Sequence, residues 1–315
     1  MQTGHGRAHA KIILIGEHSV VHQQPAIALP LQGLPVTAIL TAHKSEQQLV
    51  SDYFSGALSD LPGQFSGIHV LLERLLNRFH VPNLGFELEL TSDIPEERGM
   101  GSSAAVATAI TRAVYDFFDI PLDQTTLLKT VNIEEVITHG TPSGIDAATV
   151  SANRPIWFIK GQPLQELPVN LSATLVVGDT GVTGQTGLAV NSVNELLTDD
   201  ERPHIGQNLV NHLGQLTWQA ATCLRDNQPE RLGQLMNQAQ VDLAALGVSH
   251  PVIEHLVSVA NRAGALGSKL TGSGLGGCMI SLAANQQSAR KIQQALLNAG
   301  AIATWIEPFG HSESL

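Results

Sequence analysis

Cysteine is nearly absent. Cys223 and Cys278 are the two in 315 residues, too few for a disulfide framework or a four-thiolate zinc site, and they point to a reducing, cytoplasmic setting. Aromatic residues make up 4% of the chain, so the core must be built from aliphatic side chains. Runs of basic residues are missing too. Seventeen Lys and Arg against 28 Asp and Glu leave a formal charge of −11, which argues against nucleic acid or an anionic membrane as partner. An anionic substrate would need local help from a helix end or a metal. No apolar run reaches the length needed to span a bilayer, and residues 1–10 are polar with no apolar core segment, which counts against a signal peptide. No Gly-x-x-x-x-Gly-Lys-Ser/Thr run exists, so a Walker A loop is excluded. The thirteen histidines invite a metal reading, but Ser19 stands between His18 and His22 where a zincin would carry its glutamate.

What is present is an ordinary apolar share of 43%, enough for a sizeable core, in a chain long enough for two domains. Strand-like and helix-like periods alternate along it, giving an α/β (α+β) class. Residues 11–15, 25–31, 36–41 and 86–90 read as strands, and 68–79, 106–118 and 121–139 as helices. Strand and turn follow over 155–168. A strand at 173–177, helices over 205–225, 229–246, 251–263 and 288–298, and strands at 278–282 and 302–306 complete the pattern. The junction falls near residue 168, giving domains 1–168 and 169–315. Residues 51–67 form a Gly-, Ser-, Asp- and Pro-bearing loop of the kind that caps a pocket.

The chemistry concentrates where strands give way to glycine. Between the strand ending near Leu90 and the apolar helix from Val106 lies Gly99-Met100-Gly101-Ser102-Ser103-Ala104-Ala105. A helix start offers unpaired N–H groups and the positive end of the helix dipole, and glycine lets an anion come close. Ser102 and Ser103 could add hydrogen bonds or ligate a metal. An N-cap explains these residues equally well. Lys11 opens a buried strand that runs into Gly16-Glu17-His18; it could orient a phosphate, or stand as a solvated strand-start lysine. Glu17 and His18 could form a structural pair. Asp146 follows the Gly140-Thr141-Pro142-Ser143-Gly144 turn, where a carboxylate is held firmly enough for acid–base work. Glu135, upstream on the helix that also carries Glu134, could reach the same ligand or face solvent. Residues 179–187 are rich in Gly and Thr, and their hydroxyls could meet a substrate or cap the helix that follows. Gly274, Gly276 and Gly277 precede a strand, not a helix, so they are no dinucleotide fingerprint.

Three motifs in order, residues 11–22 (KIILIGEHSVVH), 99–105 (GMGSSAA) and 269–278 (KLTGSGLGGC), resemble those of the GHMP small-molecule kinases. The resemblance spans nearly the whole chain. It implies an N-terminal domain like ribosomal protein S5 domain 2, a ferredoxin-like C-terminal domain and an active site between them. It further implies ATP and Mg²⁺, with Gly99, Met100, Gly101, Ser102, Ser103 and Ala104 around the phosphates and Ser103 and Glu135 as metal ligands. Asp146 is then the catalytic carboxylate and Lys11 its partner near the transferred phosphoryl group. Glu17, His18, Gly144 and Thr186 fall where family members contact or orient the substrate. The Gly-Glu-His-x-Val-Val-His form of the first motif favours mevalonate over galactose or homoserine as acceptor, and the family implies a homodimer. Phosphomevalonate kinase, homoserine kinase, mevalonate-diphosphate decarboxylase and a non-catalytic nucleotide-binding regulator stay open as alternatives. The motifs depart from the family pattern at Ala8-His9-Ala10 before Lys11, at Met100 in place of leucine, and at Gly184 and Gly187, where relatives can carry basic residues.

Overall fold

A computed structural model of the chain describes residues 2–44, 46–139, 143–199, 201 and 204–309. Gly140, Thr141 and Pro142 of the expected turn and the polar tail from Gly310 lie outside the described residues. The chain packs as two compact units. One comprises Met1–Lys11, Pro30–Glu96 and Gly101–Asn153, the other Ile12–Leu29, Glu97–Met100 and Arg154–Leu315.

The first unit draws on β1 (Thr3–Ile15), β2 (Ala26–Ala42), β3 (Gln47–Val50), β4 (Ser55–Ala57), α1 (Ser66–Arg78), β5 (Phe86–Ser92), α2 (Ser102–Phe117), α3 (Gln124–His139) and α4 (Ile145–Val150). The division between units runs through β1 and β2. Its strands lie in the order β4-β3-β5-β2, with β1 also paired to β2. β2 and β5 are antiparallel, Val36 facing Ser92 and Ala42 facing Phe86. β5 alternates, with Phe86 and Leu88 buried and Glu89 exposed. α2 is buried on almost every side, through Ala104, Ala105, Ala107, Ile110, Ala113 and Val114 among others, and α1, α3 and α4 pack against it.

Two expectations change here. The two strands expected over 25–41 are one, β2. The strand expected from Lys11 begins at Thr3 instead, and its first residues alternate exposed and buried with Gly4, Gly6, Ala8 and Ala10 inward. Those inward positions must be small because β1 lies against α2. A Cβ on Gly6 would stand 1.9 Å from the Ala109 carbonyl oxygen, and one on Gly4 2.2 Å from that of Ala113.

The second unit adds β6 (Ile156–Phe158), β7 (Gln165–Glu166), β8 (Thr174–Asp179), α5 (Thr186–Leu197), α6 (Ile205–Arg225), α7 (Pro229–Ala245), α8 (Pro251–Arg262), β9 (Gly267–Thr271), β10 (Cys278–Ala283), α9 (Gln286–Asn298) and β11 (Ala303–Pro308). Ala26–Ala28, the start of β2, pairs with β6, and β6 with β7. Four strands form an antiparallel sheet in the order β11-β8-β10-β9, against which α7, α8 and α9 pack. Trp157 meets Trp218 with ring centroids 4.5 Å apart, spending two of the few aromatics on one contact. β9 was read only as a glycine-rich stretch; all five of its residues are buried, Lys269 included.

Candidate active site

α2 starts at Ser102, behind Gly101 in the left-handed conformation at φ 72°. No side chain caps this end, and its first intrahelical bond runs from Ala105 N–H to the Gly101 carbonyl. The opening N–H groups are thus left for something other than protein. Gly101 is required twice over, by its positive φ and by Lys11, whose Cγ would lie 2.9 Å from a Cβ at this position. The lysine stem passes under the loop and the ammonium meets Asp146 Oδ1 at 2.7 Å. Lys11 is 2% exposed, so the solvated reading fails. The Asp146 side chain keeps 30% of its surface open. It stands in the first turn of α4, which Gly144 leads into at φ 86°.

Ser103 closes the cluster from the other side. Its hydroxyl lies 2.8 Å from Glu134 Oε2 and 3.3 Å from Glu135 Oε1. Both carboxylates are buried, at 4% and 3% exposure, whereas Val136 and Ile137 on the next positions of α3 are 45% and 42% exposed. This inverts the usual sidedness of a helix. Buried carboxylates cost free energy that the fold must offset, and an element that buries acids while exposing apolar residues is shaped by a ligand more than by its core. Burial, then the charges of Asp146 and Glu134, push the Glu135 carboxyl up to about 8, while Lys11 and the Ser103 hydroxyl pull the other way. The environment is therefore short of positive charge. Among the described residues no three His, Cys, Asp or Glu side chains are arranged to hold a metal by themselves. Glu134 was seen in the sequence only as Glu135's neighbour; its signal was the charged pair on a helix whose apolar residues follow it directly.

A pocket in the same unit is lined by Ser51, Tyr53, Phe54, Phe65, Ser102 and Val106, among others. Several residues of the expected loop line this pocket, although the stretch also carries β4 and the start of α1, and Ser102 places the cavity beside the start of α2.

The second unit holds the remaining predicted residues. Glu17 is fully buried and takes the ammonium of Lys269, itself fully buried. The Lys269 ammonium also donates to the Leu270 carbonyl at 2.6 Å. His18 sits at φ 58°, and its Nε2 lies 2.8 Å from the Ser273 carbonyl oxygen. Since a carbonyl only accepts, that nitrogen carries the hydrogen and Nδ1 is left as an acceptor. Burial depresses the imidazole to about 4, so the ring is neutral at pH 7. Thr186 opens α5 and donates to Ser273 Oγ at 3.0 Å instead of capping the helix. Gly99 sits at φ 73°, where an added Cβ would meet Gly272 Cα at 3.6 Å, and Met100 is buried.

A strand–glycine–helix anion cradle, a buried lysine paired to an open aspartate, and a hydroxyl bridged to buried glutamates together define an ATP-dependent small-molecule phosphotransferase. Residues 67–153 match the GHMP kinases N terminal domain and residues 220–302 the GHMP kinases C terminal domain, and the chain belongs to the GHMP kinases. Mevalonate kinases are among the proteins it resembles. That of Pyrococcus furiosus is 33% identical over 321 residues, covering 93% of this chain and 92% of the relative. The crystal structure of mevalonate kinase from methicillin-resistant Staphylococcus aureus MRSA252 is 35% identical, with a TM-score of 0.77 over 99% of this chain and 100% of that one. The L. major mevalonate kinase, solved in complex with R-mevalonate, shares the fold at 24% identity, TM-score 0.83, over 97% of this chain and 96% of that one.

Proposed function

We propose that the chain transfers the γ-phosphoryl group of ATP to the 5-hydroxyl of (R)-mevalonate, giving 5-phosphomevalonate and ADP on the mevalonate route to isoprenoids. The observation that carries this is the 2.7 Å Lys11–Asp146 pair, in the unit whose α2 begins without a cap. Family membership and the mevalonate kinases at 33% and 35% identity support the choice of acceptor.

Phosphoryl transfer asks mainly for alignment and neutralisation of charge. The backbone N–H groups at Gly101, Ser102, Ser103 and Ala104, with Gly99 and Met100 before them, bind the phosphates. Ser103 Oγ and Glu135 are the protein oxygens that would hold Mg²⁺, which when bound neutralises phosphate charge. The Lys11 ammonium contributes a second positive charge near the transferred group. Asp146 orients the acceptor hydroxyl and takes its proton as the new P–O bond forms. We assign the pocket lined by Ser51, Tyr53 and Phe54 to the adenine. Glu17, His18, Thr186 and Gly144 contact or orient the acceptor.

We assign an N-terminal ATP-binding domain to residues 1–168 and a C-terminal domain to residues 169–315, although the packing units interleave these segments. We also propose a cytoplasmic homodimer; among the described residues no helix is long and apolar enough to cross a membrane.

A panel of alcohols in a coupled ADP-release assay tests the acceptor, with mevalonate expected to exceed phosphomevalonate and homoserine. Replacing Asp146 with Asn should lower kcat by about 10²–10⁴-fold with ATP affinity nearly unchanged. A fully active Asp146→Asn enzyme would remove Asp146 from its role.

A further inference from the structure

Mevalonate carries a carboxylate at the end opposite the hydroxyl that receives phosphate, and a chain of net charge −11 repels such an anion unless a local cation meets it. This inference rests on the functional reading above and concerns the end of the substrate that reading leaves unassigned. Of the groups assigned there to the acceptor in the second unit, none is cationic. Glu17 is an acid, His18 is neutral at pH 7 and Thr186 is a hydroxyl. Lys269 is fully buried against Glu17.

We infer that Arg98 is the residue that reads the substrate carboxylate. Its Nε donates to Asp179, 2.9 Å from Oδ1 and 3.0 Å from Oδ2. Nη1 reaches Thr183 Oγ1 at 3.3 Å. Nη2 has no hydrogen-bond partner among the described residues. A guanidinium is a planar set of N–H donors suited to carboxylates, and here Nε is anchored on Asp179 and Nη1 on Thr183 while Nη2 stays free to donate. The anchor is rigid: the Asp179 side chain is 2% exposed and also accepts from the Gly181 N–H at 2.8 Å. The Arg98 side chain retains 16% of its surface in the open.

The surroundings suit a small polar ligand. The Gly184 N–H donates to the Glu97 carbonyl at 3.1 Å, tying the Arg98 backbone to the 181–187 loop. That loop leads into the uncapped start of α5 at Thr186. Gly187 has open space where a side chain would stand. Gly184 and Gly187 bring no charge of their own, so Arg98 is the cation this loop presents to a carboxylate.

The test compares mevalonate with mevalonamide, in which a neutral amide replaces the carboxylate, on the wild-type chain and on Arg98→Met and Arg98→Lys. Arg98→Met should raise KM for mevalonate by about 30-fold, at the low end of what truncating one partner of a hydrogen-bonded charge pair costs. Its kcat should stay within a few-fold, and its kcat/KM for mevalonamide should stay near wild type. Arg98→Lys should recover part of the loss. An Arg98→Met enzyme that prefers mevalonate to mevalonamide as strongly as wild type overturns the assignment. So does one that loses both substrates in proportion, because Arg98 then only holds the loop. A wild-type chain that turns over no mevalonate defeats the functional reading itself, an outcome distinct from either.

Discussion

Ser103 has one hydroxyl hydrogen and two carboxylates within reach, and which one takes it decides what the oxygen can do. Glu134 Oε2 is closer at 2.8 Å, and its other oxygen already accepts from Thr138 Oγ1 at 2.6 Å, so Glu134 is fixed as an acceptor. Giving the hydrogen to Glu134 leaves the Ser103 lone pairs and the Glu135 carboxylate for a cation. Glu134→Gln keeps the shape but lets an amide compete as donor. It should raise the Mg²⁺ concentration for half-maximal rate by about 10-fold, a typical effect of altering a ligand's supporting group. Mn²⁺ binding followed by electron paramagnetic resonance, in the presence of ADP, should weaken in parallel.

His18 belongs to the same scale. Its folded value of about 4 lies below the ordinary 6.5, so the unfolded chain binds the proton more tightly. The contribution to stability is present above pH 6.5 and is lost as pH falls toward 4. The ring resonances should show no titration between pH 8 and 6, and urea midpoints should fall below pH 6.5. A His18→Gln chain should show a shallower decline. Neither Lys11 nor Glu135 could be assigned from its residue type, since a solvated lysine and a solvated helix glutamate are the commoner cases. Burial separates the two readings, and burial depends on elements distant in the chain.

At the scale of elements, the helices were mostly legible because their apolar period survives in the sequence: the expected 205–225 is α6, Ile205–Arg225. Failures came where packing distance, and not hydrophobicity, dictates the residue. The beginning of β1 uses glycine as its inward side chain, so the period of two is written in Gly4, Gly6, Ala8 and Ala10 and carries little hydrophobic signal. Gly6→Ala should therefore cost about 2–3 kcal/mol, as overpacking against backbone cannot be relieved by a rotamer change. A thermal melt of the variant, with activity of the folded fraction retained, checks it; an unchanged melting temperature would show that β1 can move off α2. In α3 the sequence left two readings open. Helix period placed the element at the right stretch and left its inward face undecided; packing turns Glu134 and Glu135 in and Val136 and Ile137 out.

For the whole molecule, ligand linkage offers a direct measurement. A nucleotide with Mg²⁺ that binds only the folded chain stabilises it by about 2.7 kcal/mol at a hundred times its Kd. For units of this size that corresponds to a rise of about 5–10 °C in Tm. The rise should shrink when EDTA removes the divalent ion, because Glu135 then faces the phosphates without its counter-charge, and an equal rise with and without metal would count against Ser103 and Glu135 as ligands.

Sequence alone was sufficient for the α/β class, most of the elements and the three glycine-bearing motifs, since backbone geometry, helix ends and periodic apolar faces are local properties. Folding decided the rest: that Lys11 lies beneath Gly101 and meets Asp146, that Glu134 shares Ser103 with Glu135, and that Arg98 is gripped by Asp179. These facts concern burial and charge, which are set by neighbours brought together from remote parts of the chain, and no local pattern records them.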